Sequence, residues 1–300
     1  MRKHLLYTFL FLVVFVGLDR LIGWGLNVGL NRYFGLDRPS QVLFVGHSHL
    51  MLAVDKVAFE RGTGVSVSKY CREGVNVADR YEMVRQFLSL PAADSLKVVV
   101  YGVDQFMFTG EGLSQNSYKL FYPFMDESHI DHYIRQSTDW QDYVAHKAVC
   151  TLRYSDALLN SSLRGWMGNW ANYKVGHLDV AALKEQVARG QQRRIKFEPD
   201  LMRAFEQTLR LLEARGLTVI LVNTPIAKPL NNFEPERYGR FIRYMKQLDA
   251  SSPHIMYWDF NPEFSDHYAL FFDPIHLNAD GQHVINAELV KRFNAIKSSL

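Results

Sequence analysis

From residue 42 onward, short apolar runs alternate with longer amphipathic stretches. Several of the runs are continuous, and we assign strands to 42–46 (VLFVG), 65–70 (VSVSKY), 97–102 (KVVVYG), 217–223 (LTVILVN) and 255–260 (IMYWDF). Continuous runs of β-branched and apolar residues are typical of parallel strands that are covered on both faces. The pattern therefore predicts a parallel sheet.

Helical periodicity fills most of the chain between these strands. Apolar residues recur at intervals of three and four in 76–90, 199–216, 235–248 and 278–296, and Gly216 is placed to end the second of these helices. Alternation of strands and helices predicts an α/β fold with a mainly parallel central sheet.

One segment interrupts the alternation. Residues 107–197 contain no convincing strand, but they contain two helical stretches and the tryptophans Trp140, Trp166 and Trp170. We interpret 107–197 as a helical insertion. Because long connections at the carboxyl ends of strands border the ligand crevice in open α/β folds, it is either a lid or substrate platform, or a purely structural helical cap.

The amino terminus has a membrane-targeting pattern. Three basic residues (2–4) precede an uncharged run at 5–18, followed by Asp19, Arg20 and a further apolar stretch. The run is shorter than the roughly 20 residues that cross a bilayer, but no small-x-small cleavage site follows it. We predict that 1–36 is a signal anchor with an extended helix, which leaves 37–300 outside the cytoplasm. A cleaved signal peptide is the alternative.

Composition and charge bear on which partners and metal sites to expect. The 300 residues are 48% hydrophobic, and 34 basic against 31 acidic side chains give a net charge of +3. No basic stripe interleaved with aromatics is present, so nucleic acid is not an expected partner. Cys71 and Cys150 are either two buried thiols or, in an oxidising compartment, a pair. His129 and His132 lack a third ligand at a fitting spacing, and we predict neither a metal nor a cofactor.

Two fragments far apart in the chain carry the candidate chemistry. Ser48 follows a predicted strand and Gly46, which places its hydroxyl on a tight turn at the mouth of the sheet. Asp273 and His276 are three residues apart in a turn that contains proline. This spacing lets a carboxylate fix the imidazole tautomer while the other ring nitrogen faces a serine. The combination predicts a Ser–His–Asp site.

With these residues the chain resembles the SGNH (GDSL-type) hydrolase superfamily, and especially its membrane-anchored, extracytoplasmic members associated with O-acylation of envelope polymers. The Gly-Asp-Ser block matches 46–48, and the Asp-x-x-His block matches 273–276. The resemblance implies a three-layer α/β/α domain over 37–300, with Ser48 as nucleophile, His276 as general base and Asp273 as its orienting partner. It also implies an oxyanion hole made by the N–H groups of Ser48 and Gly74.

The chain departs from that family at two positions. His47 stands where the family has aspartate, and the Gly-x-Asn-Asp block is matched only by 102–105, with Asp104 in place of the asparagine. An ionised carboxylate there would repel an oxyanion. We therefore expect Asp104 to be protonated, turned away, or replaced in function by a donor such as Asn76 or Gln105.

The resemblance implies a serine-dependent acylesterase or O-acyltransferase that acts on a cell-envelope glycan or polysaccharide through an acyl-Ser48 intermediate. The expected location is the bacterial inner membrane, single-pass, with the catalytic domain in the periplasm. The expected partners are the lipid bilayer, an acylated polymer and a multi-span membrane O-acyltransferase. A non-catalytic SGNH-like binding or scaffold subunit of an envelope polysaccharide system is the alternative.

Overall fold

The computed structural model describes residues 2–110 and 116–299 of the chain. Its centre is a five-stranded, all-parallel sheet in the order β2-β1-β3-β4-β5. The strands are β1 (Val42–Gly46), β2 (Val67–Cys71), β3 (Val98–Val103), β4 (Thr218–Asn223) and β5 (Ile255–Asp259). Each of the five predicted runs overlaps one of these strands. The predicted α/β class is confirmed.

Helices connect the strands and follow the last one. They are α1 (Arg2–Phe34), α2 (Ser48–Ala53), α3 (Lys56–Thr63), α4 (Val77–Ser89), α5 (Ser128–Ser137), α6 (Trp140–Ala148), α7 (Asp156–Met167), α8 (Val180–Ala188), α9 (Pro199–Glu213), α10 (Lys228–Asn231), α11 (Pro235–Ser251), α12 (Asn261–Phe264) and α13 (Ala279–Ile296). Short 3-10 turns lie at Pro91–Ala93, Ser117–Phe124, Thr151–Arg153, Tyr268–Leu270 and Lys297–Ser299.

The sheet buries both of its faces, which is why its strands read as continuous apolar runs. On one face, Phe44 and Ile220 belong to a core that includes Phe293 of α13. On the other face, Tyr101 of β3 packs against Phe205 of α9 with their ring centroids 5.5 Å apart. Helices cover the sheet on two sides, as a three-layer arrangement requires.

The strand order places a topological switch point between β1 and β3. The chain passes from β1 to β2 at one edge and then returns to β3 on the opposite side of β1. Connections leave in opposite directions at this point, so a crevice opens at the carboxyl ends of the two strands. The residues that directly follow β1 and β3 are therefore the ones placed to meet a ligand.

The chain divides into two compact units. The sheet belongs to the unit formed by Arg38–Ser114 and Trp170–Leu300, and the helical unit is formed by Met1–Asp37 and Gln115–Asn169. Between β3 and α8, the described residues form helices and 3-10 turns but no strand. The predicted domain limits at 36 and 107–197 stay predictions.

Within the helical unit, α1 and α7 pack at very short range. A Cβ on Gly165 would lie 1.8 Å from the carbonyl oxygen of Gly29, so this crossing requires glycine at its point of contact. Further along α1, Leu30 and Phe34 are fully buried. The last turns of α1 are therefore part of a folded core.

Asp19 fastens α1 to the segment that follows α6. Its carboxylate accepts hydrogen bonds from the backbone N–H groups of Cys150 and Thr151, at 2.7 and 2.9 Å, and from the Thr151 hydroxyl at 2.7 Å. Arg20 donates to the Sγ of Cys150 at 2.7 Å. Cys71 and Cys150 are both buried free thiols.

The part of α1 before Asp19 is exposed and apolar. The helix is long enough to cross a membrane, with a mean hydropathy of 2.1 in its most apolar window, and 6% of that window is buried. A signal anchor and a signal peptide share these features. The two halves of α1 therefore have different environments, one apolar and exposed, the other packed on α7.

Two truncations should separate these halves. Deleting residues 2–17 removes exposed apolar surface and should leave a folded protein. Deleting residues 2–36 also removes Leu30 and Phe34, and each such buried side chain is worth about 1.5–3 kcal/mol. We expect a lower thermal midpoint, measured by circular dichroism, only for the longer deletion. Equal midpoints would contradict the division.

Candidate active site

Ser48 lies where β1 passes into α2. Strand β1 ends at Gly46, His47 is the N-cap of the helix, and Ser48 is its first residue. The Nδ1 atom of His47 accepts a hydrogen bond from the N–H of His49 at 3.1 Å and so caps the amino-terminal end of α2. Ser48 is half-buried at the carboxyl edge of the sheet.

The glycines of the two motifs make room for α2. A Cβ on Gly46 would lie 3.0 Å from the Cβ of Leu50, and one on Gly102 would lie 2.9 Å from the same atom. Leu50 is fully buried over the ends of β1 and β3. Each strand therefore needs a glycine next to Leu50, at the end of β1 and one residue before the end of β3, and α2 can then begin at Ser48 above the switch point.

Ser48, His276 and Asp273 form one hydrogen-bonded chain. The Oγ of Ser48 lies 2.8 Å from Nε2 of His276, and Nδ1 of His276 lies 2.7 Å from Oδ2 of Asp273. The other oxygen of Asp273 accepts from the N–H groups of Ile275 and His276, both at 2.9 Å. The structure brings together the three side chains that the sequence paired.

The charge state of Asp273 suits an orienting role. Burial by itself would raise its pKa, but the hydrogen bonds from the His276 ring and from the N–H of Ile275 hold the pKa of Asp273 below its ordinary value. The carboxylate is therefore ionised at neutral pH. It keeps the proton of the imidazole on Nδ1 and leaves Nε2 as an acceptor for the Ser48 hydroxyl.

Asp104 is turned toward His47. One carboxylate oxygen makes a short hydrogen bond with Nε2 of His47, and the other accepts from the N–H of Phe106 at 2.7 Å. Burial would raise the pKa of Asp104, but His47 holds it well below the ordinary value. Burial also lowers the pKa of His47, against the opposing effect of Asp104. The pair is thus a neutral imidazole that donates to a carboxylate.

His49 lies in a cluster of histidines next to Ser48. Its ring lies edge-to-face with those of His47 and His276, at centroid distances of 4.4 and 5.4 Å. Its Nδ1 is buried and has no hydrogen-bond partner among the described residues. Burial, with a smaller effect of His47, moves the pKa of His49 well below its ordinary value. The side chain is therefore a neutral packing element.

The other predicted site residues have different positions. Gly74 has a φ of 79° and lines the same cavity as Ser48. The Asn76 side chain is engaged as the N-cap of α4, where it accepts from the N–H of Asp79 at 2.9 Å. Gln105 is buried and donates to the Leu230 carbonyl at 3.5 Å. Neither Asn76 nor Gln105 lines the cavity.

The cavity beside Ser48 is about 460 Å³ in volume. Its walls combine the Ser48, His276 and Asp273 side chains with apolar groups and two arginines, Arg80 and Arg193. The apolar part of the lining is contributed by Phe106, Met107, Leu230, Pro274 and Ile275. An apolar lining with a few convergent polar groups is typical of sites that bind small molecules.

His47, His49 and Asp104 also form a group that could hold a metal ion. One ligand atom from each lies within 4.8 Å of the others. Both ring nitrogens of His47, however, take part in hydrogen bonds, with Asp104 and with the N–H of His49. The donors and acceptors of His47 are matched in pairs, so this group fits a hydrogen-bond network better than a cation site.

Arg80 and Arg193 are charged residues of the cavity lining that the sequence motifs missed. For Arg80 a signal exists, since it falls on the apolar stripe of α4 defined by Val77, Val84 and Phe87, where a charged residue is unexpected. For Arg193 no such pattern exists, because it lies in a segment without regular structure. An arginine at a core position of a helix therefore marks a site that motif matching overlooks.

No protein-family model matches the sequence, and no curated protein matches it. Among solved structures, the chain is similar to the catalytic domain of peptidoglycan O-acetyltransferase A from Streptococcus pneumoniae, with a TM-score of 0.40, 11% identity and coverage of 87% of this chain and 96% of that one. A protein from Bacteroides fragilis provisionally described as an acylhydrolase gives 0.44 and 12%, covering 88% and 93%. A lipase from a goat rumen metagenome gives 0.39 and 13%, covering 83% and 95%.

These three solved proteins are described as an O-acetyltransferase, an acylhydrolase and a lipase. Their TM-scores lie below 0.5, so they carry no argument about the chemistry of this chain. What the site can do follows from its own geometry, in which a serine, a histidine and an ionised carboxylate share one cavity.

The buried histidines predict a pH dependence of stability. Because the pKa values of His47 and His49 are lowered by folding, the unfolded chain takes up protons first below about pH 6.5, and the free energy of unfolding should fall with falling pH. His49→Phe should flatten this dependence by up to about 1.4 kcal/mol per pH unit. Urea unfolding across this range measures it.

His283→Gln is the matched control for that series, because His283 is an exposed histidine of the same unit. It should leave the slope unchanged. A wild-type slope in His49→Phe would show that His49 is protonated in the folded protein.

Proposed function

We propose that the protein is a serine-dependent acylesterase or O-acyltransferase in which Ser48 carries the acyl group. The observation that supports this most directly is the chain of hydrogen bonds from Ser48 through His276 to Asp273, at 2.8 and 2.7 Å, beside a cavity with an apolar wall. Each distance lies within the range needed for proton transfer between nucleophile, base and orienting acid.

In the first half-reaction, Ser48 Oγ attacks the carbonyl carbon of an acyl ester. The new Oγ–C bond forms as the hydroxyl proton moves to Nε2 of His276, and the π pair of the carbonyl moves to its oxygen. Collapse of this intermediate restores the C=O bond and expels the alcohol, which takes the proton from His276. Asp273 stabilises the imidazolium while it exists.

In the second half-reaction, the acceptor loses its proton to His276 and attacks the acyl-Ser48 carbonyl. Water as acceptor gives hydrolysis, and a sugar hydroxyl gives transfer. Since Nε2 of His276 serves both half-reactions, the same geometry supports either outcome. Access of water to the open side of the cavity decides between them.

We further propose that α1 is a signal anchor in the bacterial inner membrane and that the catalytic unit faces the periplasm. The exposed apolar part of α1 and the basic residues Arg2 and Lys3 at its start support this orientation. An anchored enzyme stays close to acyl groups delivered through the membrane. We therefore propose an envelope glycan or polysaccharide as substrate and a multi-span membrane O-acyltransferase as partner.

The second candidate function is a non-catalytic scaffold or binding subunit of such a system. Asp104 supports it, because an ionised carboxylate stands where the SGNH family has an amide donor. In such a scaffold the hydrogen bonds between Ser48, His276 and Asp273 would be present, but no acyl ester would be hydrolysed or transferred. Reactivity of Ser48 separates the two functions.

Covalent labelling with a fluorophosphonate is the test. Wild-type protein should label and hydrolyse small activated esters, and Ser48→Ala should do neither, because the attacking oxygen is gone. Ser40→Ala is the matched control, since Ser40 is a buried serine just before β1, at the opposite end from Ser48. It should label like wild type. A wild-type protein that does not label would support the scaffold instead.

A partition experiment distinguishes transfer from hydrolysis. Ser48 is acylated with an activated ester, and loss of the acyl group is followed by mass spectrometry with and without a glycan acceptor. A transferase should release the acyl group several-fold faster with the acceptor and place it on a sugar hydroxyl. A rate that does not depend on the acceptor, with free acid as product, would identify an esterase.

A further inference from the structure

Arg80 is a fully buried charged residue of the unit that contains Ser48. It lies in the second turn of α4, is 0% exposed, and is among the largest fully buried side chains. Buried arginines are normally paired with a carboxylate, because an unpaired buried charge is costly. Among the described residues, no carboxylate forms an ion pair with Arg80. The burial of an arginine without an ion pair therefore indicates a role other than packing.

The guanidinium is held on two sides and free on the third. Its Nη1 donates to the carbonyl of Gly102 at 2.6 Å, and its Nε donates to the carbonyl of Asn76 at 3.3 Å. The group lies over the ring of Tyr101, 5.0 Å from the centroid. Its Nη2 is buried and has no hydrogen-bond partner among the described residues.

These contacts place the guanidinium between two parts of the site. Gly102 lies at the end of β3, two residues before Asp104, and Asn76 follows the turn that contains Gly74. Arg80 lines the same cavity as Ser48 and Gly74. The free Nη2 therefore belongs to the region where the SGNH family has an amide donor and where this chain has Asp104.

The N–H groups around this region are free as well. Neither the N–H of Ser48 nor that of Gly74 donates a hydrogen bond within the described parts of the chain. The carboxylates of Asp104 and Asp273 are both engaged with histidines. The cavity lining thus contains donors without a hydrogen-bond partner in the part of the chain that the structure describes, on the N–H groups of Ser48 and Gly74 and on Nη2 of Arg80.

We propose that Arg80 is the third donor of the oxyanion hole and replaces the amide that the SGNH family has at the position of Asp104. This inference rests on the proposed function. When Ser48 attacks, the carbonyl π pair moves onto oxygen. That oxygen would accept from the N–H groups of Ser48 and Gly74 and from Nη2 of Arg80, and it returns the pair when the alcohol leaves.

The positive charge of Arg80 should stabilise the transition state more than it stabilises the bound ester. A neutral ester gains little from a buried cation, whereas the tetrahedral intermediate carries a full negative charge that the guanidinium neutralises. Asp104 does not oppose this charge as strongly as its position suggests, because His47 and the N–H of Phe106 hold its two oxygens. Loss of Arg80 should therefore lower kcat and leave KM nearly unchanged.

Arg80→Met and Arg80→Lys test the proposal, with Arg85→Met as the control. Arg85 is on the same helix, is partly exposed and pairs with Glu82. Removing one oxyanion donor typically lowers the rate about 10²–10³-fold. We expect Arg80→Met to lower the rate of fluorophosphonate labelling and kcat for activated esters by this factor, Arg80→Lys to lose less, and Arg85→Met to match wild type.

Chemical rescue distinguishes catalysis from folding. Arg80→Ala leaves a space for guanidinium, so millimolar guanidinium should restore part of the lost rate, whereas tetramethylammonium at equal ionic strength should not. A merely structural Arg80 would lower the fraction of folded protein, seen in the thermal midpoint, without such rescue.

Four outcomes would count against the proposal. Wild-type kcat in a folded Arg80→Met, or a loss that follows unfolding and is not rescued, overturns the role of Arg80 alone. A rise in KM with unchanged kcat overturns it as well and identifies Arg80 as a subsite for an anionic group of the substrate. Failure of the wild-type protein itself to label overturns the proposed function, and the inference with it.

Discussion

The hydrogen bond between His47 and Asp104 is the interaction on which the site depends. It joins the residue after β1 to the residue after β3 across the switch point of the sheet. Because the N–H on Nε2 of His47 donates to Asp104, Nδ1 of His47 carries no proton and accepts the N–H of His49, which caps α2. One buried contact therefore sets the tautomer of the cap, the start of the helix and the position of Ser48.

The fold could be predicted from the sequence because its strands and helices have recognisable local patterns of apolar residues. Continuous apolar runs reflect a sheet buried on both faces, and each predicted strand overlaps an observed one. The pairing of Ser48 with the 273–276 turn was also predictable, since each half has a recognisable local motif. What a local pattern does not contain is which way a side chain turns. The sequence left three alternatives open for Asp104, because its partner His47 lies 57 positions away in the chain.

Arg80 and α1 illustrate the same limit. Arg80 occupies an apolar stripe, but its contacts with Gly102 and the cavity depend on how α4 packs against β3. Asp19 and Arg20 interrupt an otherwise apolar stretch of the sequence. Their bonds to Cys150 and Thr151 involve residues about 130 positions away. Polar residues in apolar stretches thus signal long-range partners without identifying them.

Each half of the site is organised by its own few residues. In the loop 273–276, Asp273 accepts hydrogen bonds from the N–H groups of Ile275 and His276 and from the His276 ring, and the cap of α2 is equally local. The two halves are aligned by α13, which begins three residues after His276 and is bonded to α2 through Gln282 and the Leu52 carbonyl at 2.7 Å.

Further along, α13 meets α3 so closely that a Cβ on Gly62 would lie 2.7 Å from Val290. The distance between Ser48 and His276 therefore also depends on how α13 packs against α3. Substitutions along that interface would shift Ser48 relative to His276 while every residue that lines the cavity stays the same.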